Sequence, residues 1–214
     1  MSFCPADEFL MKVCGITRVE DLEAAVDLGV NAVGLNFYPR SPRYVEPGTA
    51  RRLLEKLRSL SGPEVLAYGV VVLPPGSRTW PKELRSILPE LDGIQVHGTR
   101  RPQEIPPFTG RLLVAVSPEG VRNFPDHPVI VDTSWGTGRK ADWSQLRSLG
   151  GKFVLAGGLD PSNVQEALHL VHPAGVDVCS GVEVSPGRKD PARLRAFVEE
   201  VEKYLKEREL GVRS

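Results

Sequence analysis

The chain has 214 residues, 41% of them apolar and 25% charged, and Lys plus Arg equals Asp plus Glu at 27 each. That length suits one large α/β domain or two small ones, and the composition excludes a disordered segment. The even charge balance excludes an overall basic field for nucleic acid or an anionic membrane, and leaves room for local anion sites.

The first ten residues show no periodicity and lack the basic and apolar regions of a secretory signal. They read as an N-terminal extension, residues 1–10, ahead of one domain over 11–214, with Met1 or Met11 as alternative starts. From there a short apolar run, a Gly- or Pro-marked loop and a segment of helical period recur as eight units. The strand-like runs are Met11 to Ile16, Ala32 to Phe37, Val65 to Leu73, Gly93 to Val96, Leu112 to Val116, Val129 to Asp132, Phe153 to Ala156 and Val176 to Cys179. Most are apolar throughout, as parallel strands are when both faces are covered.

Between them, Thr17-Arg-Val-Glu20 has capping-box spacing for the first helix. Leu53, Leu54, Leu57 and Leu60 mark the second, and Trp80, Leu84, Ile87 and Leu88 the third. Units four and five have short, Pro-rich links that predict a single turn or no helix. Asp160-Pro161 opens the seventh helix ahead of Val164, Leu168 and Val171. In the last, Asp190 caps, Pro191 fits the first turn, and Leu194, Phe197, Val198, Val201 and Leu205 share a face.

Eight β-α units fit a closed, parallel (β/α)₈ TIM barrel or a long doubly wound sheet. The barrel is favoured, because the first strand runs into Cys14-Gly15-Ile16-Thr17 and not into a dinucleotide-binding G-x-G-x-x-G. No linker divides the chain, so one domain is expected. No apolar stretch approaches the roughly 20 residues of a bilayer span, so no membrane partner is expected. Cys4, Cys14 and Cys179 are odd in number and widely spaced, which predicts free thiols in a cytoplasmic protein. Four Asn, four Gln and 19 Pro lean towards a thermophilic source.

In such barrels the reacting groups stand at strand C-termini and in the loops that follow. There the sequence offers Cys14, Arg43, His97, Asp132, the pair Gly157 and Gly158, and the pair Ser180 and Gly181. Small residues after strands seven and eight let backbone N–H groups approach a phosphate, although Gly pairs also serve ordinary turns. Cys14 can act as nucleophile or base if nearby donors lower its pKa, and a lone Cys is otherwise a small core residue. Asp132 closes an apolar strand, as a rim carboxylate or a loop cap. Arg43 can fork onto a carboxylate or phosphate, or lie solvated. His97 reads equally as a satisfied rim histidine or a substrate contact. The loop Gly136-Thr-Gly-Arg-Lys140 can fold over the same anion or lie in solvent. Four scattered His and no paired-ligand spacing predict no metal.

Six strings stand together in order: Lys12-Val-Cys-Gly-Ile-Thr17, Gly34-Leu-Asn-Phe-Tyr-Pro-Arg-Ser-Pro-Arg-Tyr44, Gln95-Val-His-Gly98, Val131-Asp-Thr133, Leu155-Ala-Gly-Gly-Leu159 and Asp177-Val-Cys-Ser-Gly-Val-Glu183. Jointly they resemble the phosphoribosylanthranilate isomerase family, over nearly the whole chain from Lys12. The resemblance implies a (β/α)₈ barrel that performs an Amadori rearrangement of a small phosphosugar in tryptophan biosynthesis, without a cofactor. It implies Asp132 as general acid, Cys14 as general base, Arg43 at the anthranilate carboxylate, and Gly158, Ser180 and Gly181 in the phosphate loops. Cys179 departs from it, because a small residue such as Ser is expected there. The rivals are a histidine-pathway isomerase, which would be expected to use two Asp, an indoleglycerol phosphate synthase, which would be expected to need a strand Lys, and a barrel that binds phospholigands without turnover. A homodimer is left open.

Overall fold

The computed structural model describes residues 9–133, 143–150 and 152–211. Eight parallel strands close into a barrel in chain order: β1 (Leu10–Cys14), β2 (Ala32–Asn36), β3 (Leu66–Val72), β4 (Gly93–His97), β5 (Arg111–Val116), β6 (Val129–Asp132), β7 (Val154–Ala156) and β8 (Gly175–Val178). All eight apolar runs are strands, and β8 pairs back onto β1 with Lys12 opposite Asp177 and Val13 opposite Val178.

Strand side chains alternate between faces. One set, including Leu10, Ala32, Leu66, Tyr68, Leu113, Ile130 and Val154, fills the barrel. The other, including Val13, Val33, Ala67, Val114, Val131, Leu155 and Val176, packs outward in a second cluster with the helices. Two apolar faces explain why the strands carry continuous apolar runs.

Among the described residues the α-helices are α1 (Val19–Asp27), α2 (Pro47–Ser61), α3 (Lys82–Arg85), α4 (Val164–Val171) and α5 (Pro191–Glu209). In α5, Asp190 accepts from the Ala192 and Arg193 N–H groups as an N-cap, and Leu194, Phe197, Val198 and Val201 are buried. Its fifth buried residue is Tyr204, and Leu205 is only partly covered. In α2 the buried face is Ala50, Leu53, Leu54 and Leu57, while Leu60 is exposed at the far end. Units four and five have one short 3₁₀ segment each, Pro102–Glu104 and Pro118–Asn123. The third unit is also brief, with α3 followed by a 3₁₀ turn at Leu88–Glu90.

Several local expectations need correction. Thr17 does not cap α1; its hydroxyl donates to the Gly187 carbonyl at 2.5 Å, and no side chain caps the helix. Asp160 does not open α4 directly, because its carboxylate accepts from the backbone N–H and hydroxyl of Ser162, which holds a turn, and the helix starts at Val164. Leu10, read as the end of the extension, is the first residue of β1, where it pairs with Gly175 and is fully buried. Phe9 is tied in as well, its carbonyl accepting from Asn31 Nδ2. Residues 1–8, with Cys4, lie outside the described residues.

One element had no sequence signal. After β8 the chain makes a 3₁₀ turn, Ser180–Val182, and an antiparallel hairpin of β9 (Glu183–Ser185) and β10 (Arg188–Lys189). It is fastened over the β1–α1 loop: Thr17 donates to Gly187, and the Lys189 N–H donates to Asp21 Oδ2 at 3.0 Å.

Candidate active site

At the C-terminal mouth of the barrel a cavity of about 430 Å³ is lined by Cys14, Arg43, His97, Asp132, Gly157, Gly158 and Ser180. Seven of the eight residues singled out from sequence therefore meet in one place. The eighth, Gly181, lies just behind, packed against the loop after β7. A Cβ there would clash with the Leu159 carbonyl, so Gly is what lets the loops after β7 and β8 come together.

Cys14 ends β1, buried and facing the cavity. Its pKa is held well below the ordinary thiol value, first by a hydrogen bond from Cys179, then by Lys12, Lys189 and His97, which together overcome burial. Cys179 is pushed the other way, chiefly by that same bond and by its own burial. The pair therefore favours the Cys14 thiolate beside a neutral Cys179 thiol, whose Sγ also lies 3.9 Å from Glu183 Oε1.

One layer deeper, two residues before each cysteine and on the same strand face, Lys12 Nζ meets Asp177 Oδ1 at 2.8 Å, with side chains 0% and 6% exposed. Burial opposes the Lys12 charge, but Asp177 and Cys14 outweigh it and raise its pKa. Burial pushes Asp177 up to about 7 against the pull of Lys12.

Arg43 does not stand free over the cavity. Its Nε donates to Glu183 Oε1 at 2.9 Å and its Nη2 to Oε2 at 2.6 Å, a bidentate pair. Burial disfavours the Glu183 charge, yet Arg43 and Lys189 hold it below the usual carboxylate range. Lys189, buried on β10, donates to Glu183 Oε1 at 3.0 Å, the Cys14 carbonyl at 2.6 Å and the Cys179 carbonyl at 3.2 Å.

Across the mouth, Asp132 ends β6, half-buried at the cavity wall. His97 contacts Gln95 through the two Nε2 atoms at 2.9 Å; with the amide donating, the ring carries its proton on Nδ1. Burial lowers the His97 pKa against the pull of Cys14 and Asp132, which favours the neutral ring.

The β7 side is shaped for a close backbone approach. Gly157 and Gly158 have φ of 92° and 69°, which L side chains tolerate poorly. Buried Asn163 fixes the loop, donating to the Gly158 carbonyl at 2.8 Å and accepting from the Asp160 N–H at 2.9 Å. Exposed Ser180 faces this turn from the β8 side. The anticipated anion loop Gly136 to Lys140 lies outside the described residues.

The family model for N-(5'-phosphoribosyl)anthranilate isomerase matches residues 11–200. The chain belongs to this family. The isomerase of Syntrophus aciditrophicus is 39% identical over 211 residues, covering 91% of this chain and 87% of that protein. The Thermotoga maritima crystal structure superposes with a TM-score of 0.77 at 31% identity, covering 91% of this chain and 99% of that one. A family structure in complex with reduced 1-(o-carboxyphenylamino)-1-deoxyribulose 5-phosphate gives 0.72 at 29% identity, with coverage of 91% and 99%.

Within this isomerase barrel, sequence reasoning passed over Lys12, Asp177, Glu183 and Lys189 as site residues, and took Cys179 only as a departure from the family pattern. Lys12 and Asp177 carried a signal, since each interrupts an apolar strand two residues before a rim cysteine and so shares its inward face. Glu183 and Lys189 carried none, because a Glu and a Lys around Pro186-Gly187 read as a solvated turn.

Proposed function

We propose that this isomerase runs its Amadori rearrangement, N-(5'-phosphoribosyl)anthranilate to 1-(o-carboxyphenylamino)-1-deoxyribulose 5-phosphate, with Asp132 as general acid and Cys14 as general base. The observation that carries the assignment is a thiolate-favouring cysteine and a carboxyl group on opposite walls of one cavity. Asp132 gives its proton to the furanose ring oxygen, the C1′–O bond breaks, and the nitrogen lone pair forms a Schiff base. Cys14 then removes the C2′ proton, and the electrons of that C–H bond neutralise the iminium nitrogen to give an enolamine. Tautomerisation yields the ketose. Acid and base catalysis of this kind contributes about 10²- to 10⁴-fold per group.

The remaining residues divide by ligand chemistry. Gly157, Gly158, Ser180 and Gly181 receive the phosphate, whose backbone donors are reachable because the loops lack bulk. Arg43 receives the anthranilate carboxylate, and neutral His97 borders the sugar. The free thiols Cys14 and Cys179 suit a reducing compartment such as the cytoplasm.

The test is the fluorescence loss of freshly prepared phosphoribosylanthranilate with wild type, Cys14→Ala and Asp132→Ala in parallel. Rapid loss with wild type and a fall of about 10²-fold or more in both folded variants is expected. A variant that keeps wild-type kcat removes its residue from the mechanism.

A further inference from the structure

Arg43, the residue placed at the substrate carboxylate, is already paired with a carboxylate of its own protein. A guanidinium has two hydrogen-bonding edges that suit a carboxylate: a side edge of Nε and one Nη, and an end edge of both Nη atoms. Glu183 occupies the side edge, through Nε and Nη2. The end edge, with Nη1, is the one left for a ligand in the cavity that Arg43 lines.

Geometry alone does not make this a carboxylate site, because Arg43 and Glu183 together are neutral. Lys189 changes the sum. Its ammonium lies 3.0 Å from Glu183 Oε1 with the side chain 1% exposed, so the trio carries one net positive charge in a poorly solvated place. Lys189 is also fully committed, its three N–H groups matched by Glu183, the Cys14 carbonyl and the Cys179 carbonyl. The hairpin that carries it is fixed by Asp21 and Thr17.

We propose that Lys189 is a positioning residue for the isomerase reaction: it locks Glu183 onto the side edge of Arg43 and restores the positive charge that lets the end edge receive the anthranilate carboxylate. Through the Cys14 carbonyl the same ammonium ties the carboxylate holder to the strand end that bears the base. The inference rests on the reading of Arg43 given above.

The experiment compares two ligands, the reduced product analogue and its phenylamino counterpart without the carboxyl group, by calorimetry on wild type, Arg43→Ala, Lys189→Met and Lys189→Met/Glu183→Gln. Wild type is expected to prefer the carboxylated ligand, and Lys189→Met to lose about tenfold in that preference, with the carboxyl-free ligand little affected. The double variant leaves Arg43 unneutralised and is expected to recover most of the preference, which a merely structural Lys189 would not produce. In turnover, Lys189→Met should raise KM by a larger factor than it lowers kcat. If Lys189→Met does not fold, Lys189→Gln, which keeps N–H donors near the carbonyls and loses the charge, is measured in its place. An Arg43→Ala variant that keeps the full preference overturns the reading of Arg43. A preference lost with Arg43→Ala and kept with the Lys189 variants, or not regained in the double variant, overturns the present proposal alone.

Discussion

Beneath the cavity the barrel interior is filled by Leu10, Ala32, Leu66, Tyr68, Leu113, Ile130 and Val154, none more than 4% exposed. Above that layer Cys14, Gln95, Asp132, Asp177 and Cys179, from β1, β4, β6 and the end of β8, line the cavity, with Lys12 buried against Asp177. The lower layer is held by packing, where volume is what matters and an apolar exchange of similar size costs little. The upper layer is held by matched charges, where each group is tolerable only while its partner stays. Substitution separates the two regimes, because a missing methyl group leaves a cavity and a missing ammonium leaves a buried charge.

The largest contrast is expected at the Lys12–Asp177 pair. Lys12→Met should destabilise the fold by about 3–5 kcal/mol, and Lys12→Met/Asp177→Leu should recover most of that loss in urea unfolding. If the single and double variants are equally unstable, packing outweighs charge in the upper layer too. The pair also has a pH signature. Asp177 has a folded pKa near 7, above its ordinary 3.8, so the native state holds this proton more tightly than the unfolded chain. Its contribution to stability is therefore fully present below about pH 4 and is lost as pH rises towards 7. Removing Lys12 takes away the charge that favours the ionised carboxylate, so the Lys12→Met penalty should grow between pH 5 and pH 8, read as the urea midpoint against wild type.

In the lower layer, Leu113→Ala should cost about 2–5 kcal/mol through its cavity while kcat per folded molecule stays near wild type. A large fall in kcat would mean that the two layers are not separable. The smallest effect is expected outside both: Asp190→Ala removes the α5 cap and should cost about 1 kcal/mol in thermal unfolding, with activity unchanged.

The sequence was legible where one physical rule governs. Buried parallel strands must be apolar on both faces, so all eight announced themselves, and Asp190-Pro191 marked α5 because cap and fixed φ act locally. Thr17 and Asp160 misled because a polar side chain near a helix start has several partners within reach: Thr17 found Gly187, and Asp160 found Ser162. At the site, the rim residues were legible from strand ends and from family resemblance. Glu183 and Lys189 were not, since their burial depends on a short hairpin folding back across the first loop, which no local pattern encodes.

That hairpin and the β1–β8 seam lie between segments far apart in the chain, Lys12 with Asp177 being 165 residues apart and the Cys14 carbonyl with Lys189 being 175. In the proposed mechanism the base stands on the first strand, while two of the groups that favour its thiolate, Cys179 and Lys189, and the carboxylate that holds Arg43 arrive after the eighth. A chain still being synthesised therefore lacks these surroundings of Cys14 until Cys179 and Lys189 have been made and the barrel has shut. With Cys14 as the proposed base, turnover is expected to report completed closure of the barrel.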